Sequence, residues 1–324
     1  MKRIVLISTL IACAIALLVW RLLIATPVSY VSVGVLHSLT GTMGQSESQV
    51  VDATLLAIEE INAKGGVLGK QIKPILFDGA SDWPTFAQGA EQLISQDHVA
   101  VIFGCWTSAS RKTILPVLQK HDHLLFYPLQ YEGLEESKHV VYTGAAANQQ
   151  IIPGVVWAFH NLGKKFFLVG SDYIYPRSSH AINKEVIHAL GGAIVGEEYI
   201  PLGSQNVEPI IQKIIETKPD VILNILVSES NIPFFQQLRA AGITPEKIPT
   251  VSFTFAEIEL ASLDVSSMIG DYTALNYFQS IDRLENKQFV QNFKKRFGQE
   301  RAVSDYMEAA YFGVYLWAQS VQDA

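Results

Sequence analysis

The chain contains very little cysteine. Of its 324 residues only Cys13 and Cys105 are cysteines, and Cys13 lies in an apolar run at the N-terminus. A disulfide framework or a cysteine-ligated metal site needs more thiols than this. The eight histidines are scattered, with no HExxH or HxxxH pair. The sequence therefore predicts no metal site and no bound cofactor.

An excess of positive charge is also absent. The sequence has 24 basic and 31 acidic residues, which gives a net charge of −7. A nucleic-acid-binding protein would need a basic patch, so we predict no nucleic acid partner. No glycine-rich phosphate loop occurs either, because Lys64-Gly65-Gly66 reads as the end of a helix.

The longest apolar run is at the N-terminus, where residues 4–25 are apolar or small except for Arg21. About 20 apolar residues span a bilayer, and no small-x-small cleavage site follows this run. We predict an uncleaved transmembrane signal-anchor within residues 1–29. Lys2 and Arg3 would stay in the cytoplasm and the rest of the chain would be extracytoplasmic, in the periplasm. A lipoprotein signal around Leu10-Ile11-Ala12-Cys13 is the alternative.

From residue 30 onward, strand and helix patterns alternate in two series. This order predicts an α/β fold with two doubly wound parallel-sheet lobes joined by a hinge and a ligand cleft between them. Predicted strands cover 30–36, 72–78, 99–103, 124–127, 165–170, 193–199, 221–226 and 249–253. Predicted helices cover 49–62, 83–96, 149–161, 176–190, 207–217, 231–241, 287–297 and 306–320.

Polar and aromatic side chains follow two successive predicted strands. Trp106, Thr107 and Ser108 come after the strand at 99–103, and Tyr127, Gln130 and Tyr131 come at the end of the next. Ligands of parallel α/β sheets bind at the carboxyl ends of the strands. The combination of aromatic and hydroxyl groups suits a small, neutral, hydrogen-bonding solute.

Eight stretches in order resemble the urea and short-chain amide branch of ABC-transporter solute-binding proteins, which have the type I periplasmic binding protein fold. They are VLHSLTG (35–41), GCWTSASRK (104–112), LFYPLQYEG (125–133), YTGAAANQQIIP (142–153), GSDYIYPR (170–177), EEYIPLG (197–203), NYFQSID (276–282) and EAAYFGVY (308–315). The resemblance implies one lobe from 30–146 plus 277–324 and a second lobe from 147–276.

The resemblance also implies extracytoplasmic binding of a small amide or urea for uptake through an ABC permease. The chain departs from the family at 227–231, where VSESN replaces the expected Gly/Asp-containing turn. It also lacks the usual C-terminal return to the second lobe, which we interpret as a truncation or as the point where another module begins. A ligand-sensing domain with an appended signalling module is therefore the alternative.

The predicted ligand contacts come from both lobes. We expect Ser108 to cap its helix and to donate to a ligand carbonyl, the aromatic rings to form walls, and Glu229 to accept from ligand N–H groups. The full predicted set is Trp106, Thr107, Ser108, Tyr127, Gln130, Tyr131, Tyr173, Tyr175 and Glu229.

An amidohydrolase is a third interpretation, with Cys105 as its nucleophile. A catalytic thiol needs a neighbouring base. His121 and His123 are placed at the far end of the following helix, away from Cys105. We therefore predict a buried, unreactive Cys105 and no enzymatic activity.

Overall fold

The computed structural model describes residues 29–324, except for the side chain of Ser228. The predicted signal-anchor at 4–25 and Cys13 lie outside this part of the chain. Within it, no helix has the length and apolar character needed to cross a membrane.

The first lobe is built on a parallel sheet of five strands. Its spatial order is β2-β1-β3-β4-β5, so the chain begins in the middle of the sheet and winds outward in both directions. The strands are β1 (Tyr30–His37), β2 (Gln71–Asp78), β3 (Ile102–Gly104), β4 (Leu125–Tyr127) and β5 (Val140–Tyr142).

Helices cover both faces of this sheet. The connecting helices are α1 (Gly44–Ala63), α2 (Trp83–Ser95) and α3 (Ser108–His121). The last two helices of the chain, α9 (Leu284–Phe297) and α10 (Asp305–Asp323), also belong to this lobe because both pack against α1. The carboxylate of Glu60 in α1 accepts hydrogen bonds from Tyr311 and Tyr315 of α10, which fixes the C-terminal helix to the first helix.

The second lobe repeats this architecture with a sheet of order β10-β9-β8-β6-β7, again entirely parallel. Its strands are β6 (Lys165–Ser171), β7 (Ala193–Ile200), β8 (Val221–Ile225), β9 (Thr250–Ser252) and β10 (Tyr272–Thr273). Its helices are α4 (Ile151–Asn161), α5 (Ile174–Ala189), α6 (Glu208–Thr217), α7 (Asn231–Ala240) and α8 (Glu257–Leu260).

The predicted α/β fold with two parallel sheets is confirmed, and most element ends agree within two or three residues. The largest difference is at α1, which begins at Gly44, five residues before the predicted start at 49. Strand β5 was not predicted, because three residues after the charged stretch 135–139 are too few to show a periodic pattern. The exact lobe boundaries at 146, 147, 276 and 277 remain a prediction.

The lobes touch each other across the cleft. Gln130, which follows β4, donates from Nε2 to the carbonyl of Phe253, which follows β9, at 3.2 Å. Tyr306 of α10 donates to Oε1 of Glu259 in α8 at 3.2 Å. The carboxyl ends of both sheets therefore face one another around an enclosed space.

Candidate functional site

A small cavity lies where the strand ends of the two sheets meet. Its walls come from segments after β3, β4, β6, β8 and β9 and from the start of α10. The centre of a water molecule can occupy about 10 Å³ of it, which is room for one water. The lining residues are Trp106, Ser108, Tyr127, Leu129, Gln130, Tyr173, Tyr175, Val227, Thr254 and Tyr306.

The turn from β3 into α3 brings two of these side chains to the cavity. A Cβ at Gly104 would lie 2.2 Å from the carbonyl oxygen of Leu36, so the turn depends on glycine there. Thr107 is the helix cap, because its Oγ1 accepts from the backbone N–H of Ser110 at 3.0 Å. The prediction that Ser108 caps the helix was wrong by one residue. Thr107 is buried and lies outside the cavity lining.

The hydroxyl of Ser108 is held by two charged side chains behind the cavity wall. It donates to Oε2 of Glu132 at 2.7 Å, and it accepts from Nη1 of Arg111 at 3.1 Å. Arg111 also donates from Nη2 to Oε1 of Glu132 at 3.1 Å. These bonds close a triangle in which Ser108 has already used its only hydrogen, contrary to the expected bond from Ser108 to a ligand carbonyl.

Two more charged side chains complete this cluster, the largely buried Glu135 and the partly exposed Lys112. Nε of Arg111 donates to Oε1 of Glu135 at 2.9 Å, and Lys112 lies 2.5 Å from Oε2 of Glu135 and 3.4 Å from Oε1 of Glu132. Burial by itself would raise the pKa of Glu135, but hydrogen bonds from Lys112, Tyr142 and Arg111 outweigh it and lower that pKa to about 2. Two cations and two anions leave the cluster with no net charge.

Aromatic rings surround the guanidinium of Arg111. Its Cζ lies 4.6 Å from the ring centroid of Tyr127, 5.3 Å from that of Tyr131 and 5.7 Å from that of Tyr142. Tyr131 stacks on Tyr142 with their centroids 4.2 Å apart. Tyr131 therefore covers the charged cluster and lies outside the cavity lining.

Four of the predicted aromatic residues line the cavity, namely Trp106, Tyr127, Tyr173 and Tyr175. Trp106 packs against Tyr306 with ring centroids 4.4 Å apart, and Tyr127 donates to the carbonyl of Trp106 at 2.6 Å. Tyr175 reaches the cavity from the first turn of α5, as does its neighbour Tyr173 at the helix cap. The buried hydroxyl of Tyr175 has no hydrogen-bond partner among the described residues.

Gln130 connects the cavity to the lobe contact. This residue lines the cavity. Its Nε2 donates to the Phe253 carbonyl, and its buried Oε1 finds no partner in the described part of the chain. The same Phe253 carbonyl also accepts from Nε2 of Gln150 at 2.9 Å. Gln150 bonds in addition to the carbonyl of Ala274 at 2.8 Å, which ties it to the end of the second sheet.

Glu229 does not reach the aromatic cavity. It belongs to a 3-10 turn, Ser228–Ser230, and lines a separate groove between α1 and α8 together with Gln45, Gln49 and Ile258. The VSESN segment still contributes to the cavity, because Val227 forms part of its wall.

The sequence did not single out Arg111 and Glu132, the charged partners of Ser108, although both lie in stretches quoted for the family resemblance. A spacing of three places Arg111 one helical turn after Ser108, which is the signal that could have found it. Nothing in the local sequence shows that Glu132 returns to Ser108 from 24 residues away.

Cys105 is fully buried beneath the turn, with a backbone φ of +64°. Burial raises the pKa of its thiol, which keeps the thiol protonated. The nitrogen Nε2 of His121 lies 3.0 Å from Oε1 of Glu91, in the side-chain cluster at the far end of α3. No group of three or more metal-ligating side chains occurs within residues 29–324.

Comparison with protein families gives one match over almost all of the described chain. The family described as "Periplasmic binding protein domain" matches residues 31–324. Among curated proteins, the Leu/Ile/Val-binding protein BraC3 of Rhizobium johnstonii is 25% identical over 59% of this chain. That match spans 53% of BraC3, so the chain corresponds to about half the length of this relative.

Solved structures share the two-lobe fold. A solute-binding protein of an ABC transporter from Rhodopseudomonas palustris BisB5, in complex with 3,4-dihydroxybenzoic acid, superposes with a TM-score of 0.84 at 26% identity. That superposition covers 91% of this chain and 81% of the other. The branched-chain amino acid binding protein LivJ from Streptococcus pneumoniae, in complex with isoleucine, has a TM-score of 0.80 at 19% identity, over 91% and 85% of the two chains.

Proposed function

Since the chain belongs to the periplasmic binding protein domain family, we propose that it binds a small neutral amide or urea between its lobes. It is a solute-binding protein and not an enzyme. The proposal includes delivery of the bound solute to an ABC permease on the outer side of the cytoplasmic membrane. Residues 4–25 would hold the protein at that membrane. The lobes would close around the bound solute.

The observation that carries this proposal is the absence of charge in the cavity wall. None of the ten described residues that line it is Asp, Glu, Lys, Arg or His. A buried carboxylate or ammonium group without a counter-charge is strongly unfavourable. Amino acids and aromatic acids, the kinds of ligand bound by the two solved relatives, carry such groups. A neutral ligand avoids this penalty.

The charged cluster behind the wall does not supply a counter-charge. Arg111 is the cation nearest to Ser108, and its guanidinium is paired with Glu132 and Glu135. Lys112 pairs with the same two acids. With its charges balanced, this cluster attracts neither an anionic nor a cationic ligand from the cavity side.

The size of the cavity favours the same class of solute. Space for the centre of one water suits a ligand of few heavy atoms, with small side-chain movements to admit it. The flat faces of Trp106, Tyr127 and Tyr175 suit a planar group. Urea, formamide and acetamide are planar and have three or four heavy atoms.

Isothermal titration calorimetry on the full chain in detergent tests the proposal. Urea, formamide and acetamide would be compared with isoleucine and 4-hydroxybenzoate. We expect saturable binding of at least one neutral compound and none of the two charged ones. Binding of isoleucine or 4-hydroxybenzoate with no response to any amide would overturn the proposal.

A further inference from the structure

The hydroxyl groups around the cavity share one property. Four of them already donate their single hydrogen to an acceptor of the protein, so toward the cavity they present only lone pairs. The donors and acceptors are Ser108 to Glu132 at 2.7 Å, Tyr127 to the Trp106 carbonyl at 2.6 Å, Thr254 to the Leu226 carbonyl at 2.5 Å, and Tyr306 to Glu259 at 3.2 Å.

Two other groups define the rest of the polar lining. The unpartnered Oε1 of Gln130 is a further acceptor. The unpartnered hydroxyl of Tyr175 can donate. The lining therefore offers several acceptors and few donors, which complements a ligand with several N–H groups and one carbonyl. Urea has four N–H donors and one carbonyl oxygen, whereas a carboxylate has no donor.

Ser108 differs from the other three donors in the group that holds its hydrogen. Glu132 is a buried side chain outside the cavity lining, and Arg111 occupies one lone pair of the same hydroxyl. We propose that Glu132 is a specificity-determining positioning residue, which turns the Ser108 hydrogen away from the cavity and so selects amides over carboxylates. This inference rests on the proposed function, since it concerns the same cavity.

The substitution Glu132→Gln reverses the polarity of Ser108 with little change in shape. The Oε1 position lies 3.1 Å from Nη2 of Arg111 and 3.4 Å from Nζ of Lys112, so the amide oxygen must take it. The amide nitrogen then faces Ser108 and donates to it. Because Arg111 already donates to the same oxygen, both lone pairs of Ser108 are occupied. Its hydrogen then turns away from Glu132 to the cavity side, where the Tyr127 hydroxyl or a ligand oxygen can accept it.

Three ligands of the same shape can report whether the Ser108 hydroxyl accepts from or donates to a ligand. Acetamide, acetate and acetone have the same planar skeleton of four heavy atoms, but only acetamide carries N–H groups, and acetone lacks them without adding charge. Wild-type protein is expected to bind acetamide at least tenfold more tightly than acetone or acetate, because bound acetone would leave protein acceptors unpaired. In Glu132→Gln, we expect the ratio of acetamide to acetate affinity to fall about tenfold.

Glu135→Gln is the matched control, since it removes the same charge from the same cluster and does not touch Ser108. Its acetamide-to-acetate ratio should equal that of the wild type. An equal fall in both variants, or an unchanged ratio in Glu132→Gln, would overturn the role of Glu132. If Glu132→Gln fails to fold, Ser108→Ala replaces it, because it removes the hydroxyl that Glu132 orients. Its acetamide-to-acetate ratio should fall, and a ratio equal to that of the wild type would overturn the inference. Failure of the wild type to bind any amide or urea would refute the proposed function itself.

Discussion

Thr42 of the first lobe and Gly203 of the second lie in direct contact. A Cβ built on Gly203 would lie 2.2 Å from Cγ2 of Thr42. Thr42 follows β1 of the first sheet, and Gly203 follows β7 of the second. Their contact requires the absence of a side chain at position 203, so this pair limits how closely the lobes can approach.

Gly203→Ala should weaken ligand binding, because the added methyl group holds the lobes apart. We expect a tenfold or greater increase in the Kd for urea or acetamide, measured by calorimetry. Gly203 has a φ of +77°, so alanine there adds backbone strain of about 1 kcal/mol as well.

Gly191→Ala controls for that strain. Gly191 has a φ of +81°, and a Cβ there would meet no atom within 4 Å. The two variants should lose similar thermal stability, and only Gly203→Ala should lose affinity. Equal affinities in the two variants would exclude the contact with Thr42 as a determinant of closure.

Tyr175→Phe should weaken binding without destabilising the protein. The hydroxyl of Tyr175 makes no well-aligned hydrogen bond within the described residues, although Ser179 lies beside it, so its removal should cost little stability. We expect about a tenfold loss of affinity for acetamide and an unchanged or slightly higher Tm. Tyr127→Phe is the contrasting variant, since it leaves the Trp106 carbonyl without its donor and should cost about 1 kcal/mol of stability. A clear fall in Tm for Tyr175→Phe would contradict this account.

Arg111→Met should be strongly destabilising. The side chain of Arg111 is fully buried and neutralises Glu132 and Glu135, both of which are largely buried. Its loss leaves an uncompensated negative charge in the interior and should reduce the free energy of unfolding by about 3–5 kcal/mol. Guanidinium chloride denaturation measures this loss. Adding Glu132→Gln to Arg111→Met should recover part of the lost free energy of unfolding. If the double variant instead loses the sum of the two single losses, Arg111 and Glu132 do not stabilise each other.

Stability should fall as the pH rises from about 4.5 to 7. Burial raises the pKa of Glu259 to about 7, so the folded protein holds a proton that the unfolded chain has released. The contribution of protonated Glu259 to the free energy of unfolding is therefore fully present below the ordinary carboxyl pKa. It is lost as the pH rises through 7. Burial raises the pKa values of Glu257 and Asp305 in the same direction.

Thermal unfolding between pH 4.5 and 8 checks this dependence without ligand. Glu259→Gln should flatten the curve over that range, because the amide imitates the protonated acid. The remaining slope would come from the other buried acids of this region. A slope unchanged by Glu259→Gln would show that Glu259 ionises normally.

The sequence predicted the fold well because each lobe is made of local units. Apolar runs such as 165–170 and 221–226 identify buried parallel strands by themselves, and glycine pairs such as Gly65-Gly66 mark helix ends. The prediction that ligand contacts lie just after strand ends followed from the general geometry of parallel sheets. The placement of Trp106, Ser108, Tyr127, Gln130, Tyr173 and Tyr175 around one cavity agrees with that rule.

The polar chemistry of the site could not be read from the sequence in the same way. Glu132 contacts Ser108 across 24 residues, and Tyr306 enters the lining from a helix 200 residues after Trp106. Glu229 occupies a favourable position in the turn after β8, but the 3-10 turn directs it to a neighbouring groove. Such pairings depend on tertiary distances that no local pattern encodes.

The shared carbonyl of Phe253 has a consequence for the release of a bound solute. It accepts from Gln130 of one lobe at 3.2 Å and from Gln150, which is tied to its own sheet, at 2.9 Å. In the proposed opening of the lobes, the bond from Gln130 would break and the bond from Gln150 would persist. The carbonyl therefore keeps a donor throughout the cycle, and the amide of Gln130 becomes free to hydrogen-bond with water. In the proposed function, release of the solute would therefore meet little resistance from this contact, and one molecule could bind and release solute repeatedly.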